Sequence, residues 1–205
     1  MSFVLAEGVS VASLDGIFES YQVRKGDDCY FFIANISTDR LFAFISKFLQ
    51  NLEYPAFFIL EVPTNEKVEL ELAENGNITV FHKDVYYIDG CDSATLHGIF
   101  EKYSWLLLND GMAKFGFASH FIKDEIFIGK YKIVNIFSTK KTKTQNLFDA
   151  FGIPELEKIK TVWNTFTPET PGECCRIADE NGKDTYDLIE ALKPLGLYFA
   201  ERREE

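Results

Sequence analysis

The sequence of 205 residues lacks several features that define large classes of protein. It has no run of about 18 uninterrupted apolar residues, so we expect no membrane-spanning helix. The N-terminal segment MSFVLAEG has neither the basic region nor the long apolar region of a signal peptide, which predicts a cytoplasmic protein. Basic residues are in deficit, with 21 Lys and Arg against 32 Asp and Glu, and the net charge of −11 argues against nucleic-acid binding.

Familiar catalytic and cofactor motifs are also missing. The sequence contains no glycine-rich phosphate loop, no GxSxG and no HExxH. The three histidines lie far apart, and among the cysteines only Cys174 and Cys175 are neighbours, so no zinc-ligand spacing is present. We therefore assign no catalytic residue and expect no metal and no cofactor. These absences favour a non-enzymatic protein.

The sequence does contain an internal similarity. Residues 3–21 align with residues 85–103 without a gap, and the two segments share the pattern LxGIFExY. Later segments match in the same order, for example ELAENGN with IADENGK. Ordered matches of this kind indicate a tandem duplication. We predict a first α+β repeat over 1–84 and a second over 85–205, with extra strand residues near 120–130 and a C-terminal helix.

The periodicity of apolar residues predicts the elements of each repeat. Helical spacing over 11–21 and 93–106 predicts a helix after a short strand, and a second helix begins near Ser37. Apolar runs predict an antiparallel hairpin over residues 21–36 and further strands, among them VELEL at 68–72. The fold class is therefore α+β. Two units of helices and antiparallel sheet pack as pseudo-symmetric halves or form one continuous sheet.

Acidic residues are concentrated in the first half of the chain. Residues 1–110 hold 17 Asp and Glu against 7 Lys and Arg, whereas the remainder is nearly neutral. Alternation with apolar residues in VELEL predicts that two of the carboxylates share one solvated strand face. Such a face attracts a basic partner, although solvated glutamates also simply keep proteins soluble. The candidate partner-binding residues are Glu61, Glu66, Glu69, Glu71 and Glu74.

Other carboxylates are candidates for an internal site. Glu7 and Asp89 each precede a glycine at the end of a predicted strand, and we place them in a cleft between the two repeats. The pairs Asp27-Asp28 and Asp124-Glu125 fall in loops that the duplication makes equivalent. Acids there could bind a divalent cation or act in catalysis, but they are also ordinary turn residues, and we interpret them as such.

In general character the chain resembles the bacterial immunity proteins, being small, acidic, α+β and free of catalytic motifs. The resemblance implies a protein that binds and masks a basic toxin or another basic partner. We therefore expect a cytoplasmic protein-interaction module that is a monomer or a homodimer. The alternative is a small-molecule-binding protein or an enzyme whose site lies in the cleft between the repeats.

Overall fold

A single large antiparallel sheet organises the chain in the computed structural model, which describes residues 3–73 and 78–204. A two-stranded ladder of β1 (Val9–Ser10) and β9 (Glu173–Cys174) lies apart from it. The strands of the large sheet are β2 (Ser20–Lys25), β3 (Tyr30–Asn35), β4 (Ala56–Pro63), β5 (His82–Cys91), β6 (Lys114–Ser119), β7 (Glu125–Ile128), β8 (Val134–Ser138) and β10 (Tyr198–Glu204). Across the sheet they follow the order β10, β5, β4, β6, β7, β8, β3, β2, and every neighbouring pair is antiparallel.

The described residues also form five α-helices, and four of these cover one face of the sheet. They are α1 (Thr38–Gln50), α2 (Glu66–Leu72), α3 (Ser93–Asn109), α4 (Lys141–Ala150) and α5 (Thr185–Leu192). Helix α3 begins where the Asp92 carboxylate accepts a hydrogen bond from the backbone N–H of Thr95, a typical N-cap. All of the helices except α2 contribute buried residues to the main core. We call the helix-covered side of the sheet its inner face and the opposite side its outer face.

Aromatic side chains fill the main core between the sheet and the helices. The rings of Tyr21 and Phe148 stack with centroids 4.0 Å apart, and those of Phe58 and Phe117 lie 5.4 Å apart. All four residues are buried. Since burial of one such side chain stabilises the fold by roughly 1.5–3 kcal/mol, these contacts hold the helices against the inner face.

A second, smaller layer covers one end of the outer face. It consists of residues 5–14 and 159–177, which we call the covering layer, and its core contains Val9 and Val162 beside Tyr131. The layer is attached to the end of α3 by short backbone contacts. Gly8 N–H donates to the Asn109 carbonyl at 2.8 Å, and a Cβ on Gly111 would lie 1.8 Å from the Gly8 carbonyl oxygen. Glycine is therefore required where the layer meets the end of α3.

The α+β class is confirmed, and so are the hairpin and the helices that begin near Ser37 and at Ser93. The helix predicted over 11–21 is wrong. Gly16 adopts a φ of +72°, and Tyr21 already belongs to β2. The strand predicted over 68–72 is also wrong, because Asn65 caps a helix there, with its side chain accepting from Lys67 N–H at 2.9 Å. The apolar residues of a segment this short fit the period of a helix as well as that of a strand, so their spacing does not decide between the two.

The tandem duplication is not confirmed. Residues 3–21 consist mostly of loop with the short strand β1, whereas the matching residues 85–103 consist of strand and helix. The predicted boundary after residue 84 falls inside β5, which pairs with a neighbour on each side within the continuous sheet. Among residues 3–73 and 78–204, no helix has the length and apolar character needed to cross a membrane.

Candidate protein-docking site

The acidic residues predicted to bind a partner do not share one exposed surface. Glu61 is 7% exposed, and its carboxylate accepts a hydrogen bond from Lys83 Nζ at 2.7 Å. Glu69 is 3% exposed and accepts a hydrogen bond from the backbone N–H of His82 at 2.6 Å. Both carboxylates are therefore bound within the chain.

The other acidic candidates differ from Glu61 and Glu69 in their exposure to solvent. Glu66 and Glu71 are exposed on α2, and Glu74 lies outside the described residues. Their charges do not alternate along a strand, because the segment is a helix. Only two of the four described carboxylates are thus available to solvent.

The two carboxylates assigned to a cleft lie far apart. The Glu7 backbone N–H contacts the Asn109 side chain at the C-terminal end of α3, whereas Asp89 precedes the N-terminal end of the same helix. At 1.5 Å per residue, this helix of 17 residues separates them by about 25 Å. Asp89 instead accepts a hydrogen bond from the Tyr198 hydroxyl. The structure does not bring Glu7 and Asp89 into one site.

The part of the outer face beyond the covering layer carries aromatic side chains where an antiparallel sheet usually presents polar ones. We call this surface the open face. It is formed by Phe31, Phe57, Tyr87, Glu125, Phe127 and Phe137, none of which is buried. The rings touch one another in places, with Phe31 and Phe137 in an edge-to-face pair at 4.9 Å and Phe57 and Tyr87 at 5.9 Å. Partly exposed aromatic surfaces of this kind are common at the interaction sites of proteins.

Glu125 lies in the middle of the open face. The sheet register places Phe57 opposite Ala118, Ala118 opposite Glu125, and Glu125 opposite Phe137. Residues paired in this way point to the same side of the sheet, and neighbouring strands are about 4.8 Å apart. The carboxylate therefore has the small Ala118 on one side and an aromatic ring on the other.

The carboxylate of Glu125 has no hydrogen bond and no ion pair within residues 3–73 and 78–204. It is half-buried, and this burial raises its pKa above the usual value. The adjacent Asp124 is different, because its carboxylate accepts hydrogen bonds from Ser138 Oγ at 2.6 Å and from Lys143 Nζ at 2.7 Å. The oxygens of Glu125 still reach water, so the unfavourable effect is that of partial desolvation without a protein partner.

An open groove of about 500 Å³ lies beside Glu125. Its lining includes Ala118, Phe57, Phe137, Cys29 and His120. The rings of Phe57 and His120 are 5.0 Å apart. The groove is large enough to take a long side chain from another molecule.

The loop over residues 119–124 forms one rim of the groove and holds Phe121 outward, with 70% of the residue exposed. The loop is fixed from within, because Ser119 Oγ accepts the backbone N–H groups of Phe121 at 3.1 Å and Ile122 at 3.4 Å. It is also fixed from outside by the ion pair of Lys123 with Asp28. A hydrogen-bonded loop that displays an aromatic ring is typical of the anchors of protein interfaces.

The chemistry of this site suits recognition of a cation in apolar surroundings. Aromatic rings attract cations through their electron-rich faces, and an unpaired carboxylate supplies the opposite charge. In the described part of the chain, no group of three or more His, Cys, Asp or Glu is placed to hold a metal ion. Comparison of the chain with protein-family models, with curated proteins and with solved structures found no match.

Sequence reasoning missed the open face, although the sequence carries a signal for it. It interpreted Asp124-Glu125 as turn residues, whereas Glu125 begins β7 and Asp124 is buried. The strands AFFILEV and YFFIAN read as nearly unbroken apolar runs rather than as an alternation. Such runs indicate that both faces of a sheet avoid water, and the helices can cover only one of them.

Proposed function

We propose that the protein is a non-enzymatic protein-interaction module whose open face binds a basic partner. The observation that carries the proposal is the half-buried, unpaired carboxylate of Glu125 among aromatic rings. A cationic side chain of the partner would neutralise this charge, and the apolar surface around it would be removed from water in the same step.

The charge of the whole chain supports the same partner chemistry. A net charge of −11 attracts a basic protein over distances longer than a contact and raises its association rate. The fixed loop that carries Phe121 would then enter the partner surface without a further cost of ordering. Long-range attraction and a preformed apolar anchor together favour fast and specific binding.

The masking of a basic toxin, as in the bacterial immunity proteins that the chain resembles in general character, is the specific form of this proposal. Masking requires the partner to lose its activity when the open face is occupied. Adding the protein to its captured partner should therefore inhibit the partner, and the Phe121→Ala variant should inhibit it less. Full activity of the partner in the complex would leave a binding module without a masking role.

The alternative of a ligand site between two repeats receives no support from geometry, since Glu7 and Asp89 lie at opposite ends of α3. We therefore propose one function and not two.

The proposal is tested by capture from native lysate with matched variants. The wild type, Glu125→Gln and Phe121→Ala are compared with Glu101→Gln, which removes an exposed carboxylate from α3 on the other side of the molecule. We expect a basic protein that the wild type and Glu101→Gln retain at low salt and release at high salt. Both open-face variants should lose most of it. Equal retention by all four proteins, or no retained protein, would contradict the proposal.

A further inference from the structure

We infer that the open face recognises the guanidinium group of an arginine in its partner, seated beside Glu125 in the groove, in preference to the ammonium group of a lysine. The inference rests on the proposed function and names the group that the site selects. It is carried by the hydrogen-bonding capacity of the side chains that line the groove.

The side-chain acceptors around the groove are already occupied, except for one. Ser119 Oγ accepts from two backbone N–H groups, and the Asp124 carboxylate accepts from Ser138 and Lys143. His120 Nε2 lies 3.4 Å from the backbone N–H of Gly90 and accepts from it. The two oxygens of Glu125 are left, and they lie in one plane on one carboxylate.

A guanidinium group fits this acceptor set better than an ammonium group does. It offers two parallel N–H donors to a single carboxylate in a bidentate pair. A lysine ammonium points three donors in different directions, and the lining side chains could satisfy them only in part. Each donor left unsatisfied in a half-buried site weakens binding.

The walls of the groove favour the same choice. Phe137 lies next to Glu125 in the same row of the sheet, Phe57 lies beyond Ala118 on the other side, and Phe121 lies at the rim. A guanidinium is planar and weakly hydrated, so it can place its faces against such rings while its edge meets the carboxylate. The volume of about 500 Å³ accommodates an arginine side chain together with its apolar stem.

The test uses two small probes with the full chain, N-acetyl-L-arginine methylamide and N-acetyl-L-lysine methylamide. Binding is followed through the backbone amide signals in a ¹⁵N-labelled sample. We expect the arginine probe to shift the signals of residues 118–125 and to bind roughly tenfold more tightly than the lysine probe. Glu125→Gln should abolish this preference, whereas Glu101→Gln should preserve it.

Equal or tighter binding of the lysine probe, or no shift in this segment with the arginine probe, would overturn the inference. The capture experiment separates this result from a failure of the proposed function. If capture depends on Glu125 but the protein does not bind the arginine probe more tightly than the lysine probe, the proposed interaction module is supported and the arginine assignment is wrong. If the protein prefers the arginine probe but captures its partner equally well with and without the Glu125 carboxylate, the groove recognises guanidinium and the proposed function is wrong.

Discussion

The two ends of the outer face differ in how their polar groups are satisfied. At the covered end, Gln22 Oε1 accepts from the Ile159 N–H at 3.1 Å, and Asn35 Nδ2 donates to the Lys160 carbonyl at 2.8 Å. At the open end, Glu125 has no such partner within the described residues. Where the chain covers its own sheet, it supplies the missing hydrogen bonds. Where it leaves the sheet open, the described residues supply no donor to the Glu125 carboxylate.

The two ends of the outer face also differ in how a charged side chain is accommodated. Lys132 at the covered end is 4% exposed, and its Nζ donates to the Leu107 and Ala113 carbonyls, each at 2.9 Å. Burial lowers the pKa of Lys132 to about 8. Its hydrogen bonds tie the end of α3 to the sheet, which is a structural role. Glu125 makes no contact of this kind, so the comparison predicts opposite effects when the two ends are altered.

The largest effect is expected from breaking the covered end at Gly111. In Gly111→Ala the new Cβ would meet the Gly8 carbonyl oxygen at 1.8 Å, so the covering layer must shift. We expect a loss of about 3 kcal/mol in the free energy of unfolding, measured by urea denaturation. The matched control is Gly98→Ala on α3, where a Cβ meets nothing within 4 Å and helix propensity should raise stability slightly. Equal stability of the two variants would contradict this account of the layer.

The buried charge at the covered end should make stability depend on pH. Unfolded Lys132 keeps its proton up to its ordinary pKa of 10.5, whereas the native residue loses it near pH 8. Between these values the unfolded state binds more protons, so the stability of the wild type should rise with pH relative to Lys132→Met, by up to about 3 kcal/mol. The difference between the two proteins removes the contributions of other titrating groups. A difference that does not change from pH 7 to pH 10 would show that the pKa of native Lys132 is not lowered.

Matched substitutions at the two ends of the outer face should change the stability of the fold in opposite directions. Gln22→Leu deprives the Ile159 N–H of its acceptor and should destabilise the fold by about 1–2 kcal/mol. Glu125→Leu removes an unpaired carboxylate and should stabilise the fold by about 1 kcal/mol at pH 7 while it abolishes capture.

The stability gained through Glu125→Leu should be smaller at low pH than at pH 7. The raised pKa means that native Glu125 takes up its proton at a higher pH than the unfolded residue, so the wild type recovers stability as the pH falls. Thermal unfolding at pH 7 and pH 4 measures this. Destabilisation by Glu125→Leu at pH 7 would assign a structural role to the carboxylate.

The smallest effect on stability is expected at Phe121. The residue is 70% exposed and its ring packs into no part of the core, so Phe121→Ala should change the free energy of unfolding by less than about 0.5 kcal/mol. The same variant should weaken capture of the basic partner. A large loss of stability with unchanged capture would contradict its role as an anchor.

The sequence predicted the elements whose signals are local. Helix α1 was predictable from the spacing of Leu41, Phe44 and Phe48, and α3 from a comparable spacing. Residues 11–21 carry the same spacing and form no helix, because the φ of Gly16 and the pairing of Tyr21 in β2 depend on the rest of the chain.

The sequence did not predict where the candidate site lies. The acidic charge indicated a basic partner, yet Glu61 and Glu69 are bound by Lys83 and His82, which lie 22 and 13 residues away in the sequence. Local pattern contains no information about which acids acquire such partners. Glu125 stands out only when the register of β6, β7 and β8 places it among aromatic rings.

The most direct test of the account is a hydrogen–deuterium exchange footprint of the full chain with and without its captured basic partner. The account predicts new protection in residues 55–58 and 118–128, which form the open face and its rim, and no change in residues 159–177 of the covering layer. Protection confined to the covering layer, or to the helices of the inner face, would contradict it.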